Sequence, residues 1–188
     1  MNLPRLLIIA DAEIAGGPLP AIVAEAVHHG ARAVVLRARQ LHTAGRVELA
    51  ANVRRLLAPV DGLLILAGGH GDAVHLAARE PLPEPRPALV GRSCHNADEV
   101  SDAAREGCDY VTVSPIYVTA SKPGYGPPIG TAGLAALCRP GLPVFALGGV
   151  MPDSVPACLA AGAYGVAVMG PILRRPETVS AYLERMPV

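Results

Sequence analysis

Eight short apolar runs, parted by helical patterns or by Gly/Pro-rich links, constrain this chain more than any other feature. They read RLLIIA (5–10), AVVLR (33–37), GLLILA (62–67), DAVHL (72–76), ALVGRS (88–93), YVTVS (110–114), PVFAL (143–147) and GVAVM (165–169). Continuous apolar runs of this length suit strands buried on both faces, the habit of parallel sheets. Between them lie helical patterns: PLPAIVAEAVHHG, with Ile22, Val23, Ala26 and Val27 on one face and Gly30 as a stop, then GRVELAANVRRLLA, NADEVSDAAREG, TAGLAALC, PDSVPACLAAG and PETVSAYLERM. Asn96 is a natural N-cap with Glu99 as its capping-box partner, and Pro156 falls in a first turn, where its missing N–H costs least. Strict alternation predicts a single α/β domain over 1–188, a small TIM-type (β/α)8 barrel rather than an open sheet. The link GGHG after the third run is too short for a crossover helix, and the Pro-rich EPLPEPRP after the fourth is a poor helix former. The barrel is therefore expected to lack the helix between strands 3 and 4 and to carry a reduced one next.

Composition narrows the ligand. With one Phe, no Trp and 51% hydrophobic residues, the core must be built from Ala, Val, Leu and Ile. Sixteen basic residues balance sixteen acidic ones, so the electrostatic footprint of a nucleic-acid binder is missing, and base-stacking aromatics are scarce. A small molecule is the expected partner. The four cysteines form no CxxC pair, which argues against structural zinc and for small buried hydrophobes. The N-terminal MNLPRLLIIADAE has no basic leader and a short apolar run, as expected of a cytoplasmic protein with no membrane span. Few charges and many small apolar residues favour a homodimer.

In such barrels ligands lie at the C-terminal strand ends, with phosphate held after strands 7 and 8. Strand 7 ends in LGGV, where Gly148 and Gly149 let backbone amides approach an anion, and strand 8 ends at Met169-Gly170. The alternative is tight turns that need glycine for geometry alone. Strand 6 runs into VTASKPGYGPPIG, a long loop on the same face whose Thr119, Ser121 and Lys122 offer two hydroxyls and a cation; its Gly and Pro content suits a lid. Arg37 and Arg39 end strand 2 on one face, to meet either an anion or, for Arg37, a barrel carboxylate.

The segments LRAR, GRSCHNADEV, CDYVTVSPIYVTASKPGYGPPIG, VFALGG and AGAYGVAVMG resemble the thiamine phosphate synthase and TenI family. The resemblance implies a barrel that binds thiazole phosphate or thiamine phosphate in thiamine biosynthesis. A synthase joins hydroxymethylpyrimidine diphosphate to thiazole phosphate with Mg²⁺ as cofactor; a TenI protein isomerises the thiazole by proton transfer. By position, Thr119 to Ser121, Gly149, Met169 and Gly170 would meet the thiazole phosphate, Lys122 the diphosphate and Ser93 the pyrimidine.

The chain also departs from that pattern. At the synthase QxRxK it keeps Arg37 and Arg39 but has Val35 for the glutamine, and at the Asn-Asp pair it reads Ala67-Gly68-Gly69. The second metal carboxylate is matched by Glu80 in a rearranged loop; Asp72 falls at the bottom of strand 4. The TenI histidine is matched by Pro115, which leaves His95 and Cys94 as candidate proton-transfer groups, with His95 also suited to a structural role at the start of its helix. His70 and His75 receive no role. The expected function is TenI-like thiazole isomerisation or ligand handling, with an active synthase as the alternative and a non-catalytic phosphate-ligand protein as a third.

Overall fold

The structure, a computed structural model, describes residues 3–68, 70–119 and 126–186. Strands β1 (Leu6–Asp11), β2 (Ala33–Arg37), β3 (Leu63–Ala67), β4 (Ala73–Leu76), β5 (Leu89–Cys94), β6 (Tyr110–Val113), β7 (Val144–Leu147) and β8 (Gly165–Val168) form one closed parallel barrel in sequence order. Around it pack α1 (Leu19–His28), α2 (Thr43–Leu57), α3 (Ala97–Arg105), α4 (Gly130–Leu137), α5 (Val155–Ala160), α6 (Gly170–Arg174) and α7 (Val179–Glu184). Pro156 lies in the first two positions of α5, and Asn96 caps α3 by accepting the Glu99 amide at 2.9 Å. Glu99 does not return to the cap amide: its Oε2 takes the His95 amide at 2.7 Å. The short α6, opened by Pro171, lies outside the helical patterns read from the sequence.

The period of two along each strand sorts the side chains. Leu7, Val35, Ile65, Tyr110, Phe145 and Ala167 form a core inside the barrel. Their neighbours Ile8, Val34, Val74, Val111, Ala146 and Val166 form a larger core with the helices. The bulkiest interior ring sits over the smallest wall residue, since a Cβ on Gly91 would fall 2.0 Å from Tyr110 Cζ.

No helix joins β3 to β4 among the described residues, as GGHG requires. The register explains how so short a link succeeds. Leu66 pairs with Val74, so Ala73 enters the wall level with Ile65 and the chain descends only about two residues. The next helix is reduced to turns over 77–88, where prolines occupy every second position from 81 to 87. Two things replace it. Leu82 packs on the outer core, and buried Arg92 on β5 donates through Nη1 to the carbonyls of Ala77, Ala78 and Glu80 at 3.2, 3.1 and 2.7 Å. Arg92 Nη2 also pairs with Glu106. No helix among the described residues is long and apolar enough to cross a membrane.

Candidate active site

The C-terminal strand ends enclose a cavity of about 470 Å³. Its floor is apolar (Ile9, Val35, Ala67, Leu147 and Ala167) except where His75 and Ser93 break it. Most residues singled out from the sequence meet here. Gly148, Gly149, Met169, Gly170 and Thr119 line the side of β6 to β8, and Arg37, Arg39, Ser93 and His95 the side of β2 to β5. Ser121 and Lys122, and with them the tip of the expected lid, lie outside the described residues. The base of that loop is tied down: Ile129 and Gly130 donate to the carbonyls of Pro115 and Ile116 at 3.0 and 2.9 Å.

At the β7 end, Gly148 and Gly149 have φ of +93° and +67°. The segment after β6 lies directly against them, with Ile116 and Tyr117 donating to the carbonyls of Leu147 and Gly148 at 2.9 Å each. A Cβ on Gly149 would stand 2.4 Å from the Val118 carbonyl oxygen. Packing alone therefore demands both glycines. The amides of Gly149, Val150 and Gly170 find no acceptor among the described residues, so they can serve an anion as well. Arg174 on α6 lines the same end and has no carboxylate partner among the described residues.

On the other side Arg37 resolves to its second reading. Its Nη1 stands 2.9 Å from Oδ2 of the buried Asp11, whose Oδ1 accepts the Glu13 amide at 3.0 Å. Its charge is already balanced although it still lines the cavity. Arg39, two residues on and exposed, has no such partner among the described residues.

The floor carries a polar chain. Tyr110 Oη lies 3.0 Å from His75 Nδ1, and His75 Nε2 lies 3.0 Å from Ser93 Oγ and 3.4 Å from Thr112 Oγ1. Burial, helped by the charge of Arg92, lowers the His75 pKa to about 4, so the ring is neutral near pH 7. Burial, with Asp109 nearby, pushes the Tyr110 hydroxyl far above its ordinary value. His95 reaches the cavity with its Nδ1 2.8 Å from Glu99 Oε2. Cys94, its neighbour, does not. It faces the outer core, fully buried, out of reach of anything in the cavity, and burial also drives its thiol up to about 12. Pro115 does line the cavity, with no proton to move.

Two contributors escaped the sequence reading. His75 sits between the outward Val74 and Leu76, so the alternation of β4 alone turns it inward. Arg174 follows a strand-to-helix junction whose signal was Pro171 at the first helical turn.

The metal question turns on Glu80. One carboxylate oxygen accepts the Ala77 amide at 3.0 Å, and the other lies 3.7 Å from where a Cβ on Gly68 would stand, at the end of β3. Among the described residues no three His, Cys, Asp or Glu side chains gather as a metal site. The described residues do not fit an ion held by protein alone; a Mg²⁺ would have to arrive on a diphosphate, with Glu80 as its one carboxylate.

Fold and cavity define a (β/α)8 barrel whose mouth carries backbone amides and cations that have no partner among the described residues. The family model described as thiamine monophosphate synthase matches residues 6–172. A Geobacter sulfurreducens protein named "Putative thiamine-phosphate synthase" is 39% identical over 92% of this chain and 88% of its own. The thiamine-phosphate synthase of Methanoregula boonei is 33% identical over 94% and 88%. A solved thiamine phosphate pyrophosphorylase from Pyrococcus furiosus superposes with a TM-score of 0.83 over 96% of this chain and 94% of that one, at 22% identity, a likeness of fold. The chain belongs to the thiamine monophosphate synthase family.

Proposed function

We propose that the protein is a thiamine-phosphate synthase, joining hydroxymethylpyrimidine diphosphate to thiazole phosphate. The family's relatives favour this reading over the TenI-like isomerisation that the sequence alone placed first. The observation that carries it is a cavity with two chemically different ends on one apolar floor. The amides of Gly149 and Gly170, without acceptors among the described residues, together with the Thr119 segment and Arg174, suit a phosphate at the β7 and β8 end. Ser93 and Arg39 suit a polar heterocycle and its diphosphate at the other.

In the reaction the thiazole nitrogen forms a bond to the pyrimidine's exocyclic methylene carbon as the C–O bond to diphosphate breaks. Diphosphate leaves with the electron pair. The floor residues Ile9, Val35, Leu147 and Ala167 hold the two rings away from water, which would otherwise compete for the methylene carbon. Arg39 meets the charge that grows on the leaving group, with Lys122 assigned beside it by resemblance. Glu80 would be the carboxylate to hold a Mg²⁺ carried in with the diphosphate, which would supply further countercharge to the leaving group. Arg92 holds the turn that bears Glu80 through three carbonyls.

His95 supports a second reading. A histidine at the cavity wall, held at Nδ1 by Glu99, has the form of a base with its orienting carboxylate, which a thiazole isomerisation would need. One experiment separates the two. Protein mixed with both substrates and Mg²⁺ should yield thiamine phosphate and pyrophosphate in equal amounts. Absence of product, with isomerisation of thiazole carboxylate phosphate abolished by His95→Gln, would replace the first reading with the second.

A further inference from the structure

Among the polar groups of the cavity, the chain from Tyr110 to Ser93 has a direction that its hydrogen bonds determine. We propose that Tyr110 and His75 act as positioning residues that fix the polarity of Ser93, so that its hydroxyl donates into the cavity and the subsite above it takes a hydrogen-bond acceptor, such as an unprotonated ring nitrogen.

The direction follows by elimination. Tyr110 is fully buried, stacked against the His75 ring at a centroid distance of 5.5 Å and edge-on to Phe145 at 5.5 Å. Its hydroxyl has one polar partner among the described residues, His75 Nδ1. Were Nδ1 protonated, it would donate to Tyr110 Oη and leave the tyrosine hydrogen buried with no acceptor, a costly arrangement. The tyrosine hydrogen therefore goes to Nδ1. A neutral imidazole carries one proton, so that proton resides on Nε2. Burial, which keeps the ring neutral and the tyrosine protonated, supports both premises.

Nε2–H then donates to Ser93 Oγ at 3.0 Å, with Thr112 Oγ1 a longer second acceptor at 3.4 Å. A serine oxygen that accepts from below keeps its own hydrogen for another partner. No acceptor for it exists among the described residues, and Ser93 lines the cavity. Gly91 is the structural condition for the whole chain: it pairs with His75 on one side and Tyr110 on the other, and only a residue without Cβ lets the Tyr110 ring reach His75 over β5. On the synthase reading, on which the ligand's identity rests, the acceptor is a ring nitrogen of the pyrimidine.

Long-range ¹H–¹⁵N spectra of the histidine rings, with His75→Gln assigning the signal among six histidines, read the tautomer directly. The parent should show Nε2 protonated and Nδ1 not. Tyr110→Phe keeps the ring but removes the hydrogen that pins Nδ1 as an acceptor, so the strict Nε2 preference should relax and the His75 signal should report a mixture of tautomers. Affinity for hydroxymethylpyrimidine diphosphate should then fall about twofold or more while that for thiazole phosphate is unchanged. An Nδ1-protonated parent overturns the relay, and so does a Tyr110→Phe protein that binds the pyrimidine as the parent does. If the parent binds no pyrimidine diphosphate at all, the synthase reading falls, and the tautomer alone sustains or overturns the relay.

Discussion

Gly91→Ala tests the interior packing at its tightest point. The new methyl would lie 2.0 Å from Tyr110 Cζ, 2.3 Å from Cε1 and 2.5 Å from Oη. Ordinary contact begins at 3.4 Å, so the ring must retreat by about 1.5 Å. There is nowhere for it to go. Phe145 stands edge-on at 5.5 Å, and Tyr164 backs Phe145 at 5.4 Å. Overpacking of this kind costs about 1–3 kcal/mol, and loss of the buried bond to His75 costs about 1–3 kcal/mol more. A destabilisation of about 4 kcal/mol should lower Tm by roughly 8–16 °C for a chain of this size, read by thermal denaturation. A double-mutant cycle isolates the cause. In a Tyr110→Leu background the alanine meets no ring, and the same substitution should cost less than about 1 kcal/mol. A Gly91→Ala protein that melts within about 2 °C of the parent, or an equal loss in both backgrounds, would refute the packing argument.

Three further outcomes follow from single contacts. Arg174→Gln should weaken inorganic phosphate binding about fivefold by calorimetry, roughly 1 kcal/mol for an exposed cation, whereas Arg175→Gln, outside the main cavity, should not. Arg92→Met strips three carbonyls of their donor and should cost about 3 kcal/mol or more, a Tm drop of roughly 6–12 °C; a smaller loss would mean that the proline-rich turn holds itself. His75 has its folded pKa lowered to about 4 from an ordinary 6.5, so its contribution is complete above pH 6.5 and is lost as pH falls toward 4, where unfolded chains bind a proton that native ones refuse. That amounts to about 3 kcal/mol, and urea titrations of His75→Gln should show a correspondingly flatter profile across this window.

Much of this was legible because strands and glycines carry their reasons locally. Eight apolar runs gave eight strands, and GGHG was too short for a helix whatever the surroundings. Gly148-Gly149 and Met169-Gly170 marked the cavity rim through their place in the strand order. What escaped was set by partners distant in sequence. Arg37 reads as awaiting either an anion or a barrel carboxylate, and only the fold chooses between them by setting Asp11 of the neighbouring strand beside it at 2.9 Å. Cys94 and His95 are adjacent in sequence, yet strand alternation sends one to the outer core and the other to the cavity. His75 gained meaning only with Tyr110, whose reach depends on Gly91, three residues on three strands. Gly149, by contrast, is held by Val118 as firmly as any anion would hold it, so a substitution there reports on folding before it reports on binding.

On the proposed function, one cavity takes a phosphate at its β7 and β8 end and a pyrimidine at Ser93. A crystal of the protein soaked with thiamine phosphate measures both at once. Phosphate density is expected against the amides of Gly149 and Gly170 and within reach of Arg174, with a pyrimidine nitrogen at hydrogen-bond distance from Ser93 Oγ. A ligand bound in the reverse sense, with its phosphate at Arg39 and its pyrimidine at Gly170, would contradict it, as would an empty cavity at a concentration that saturates the protein in solution.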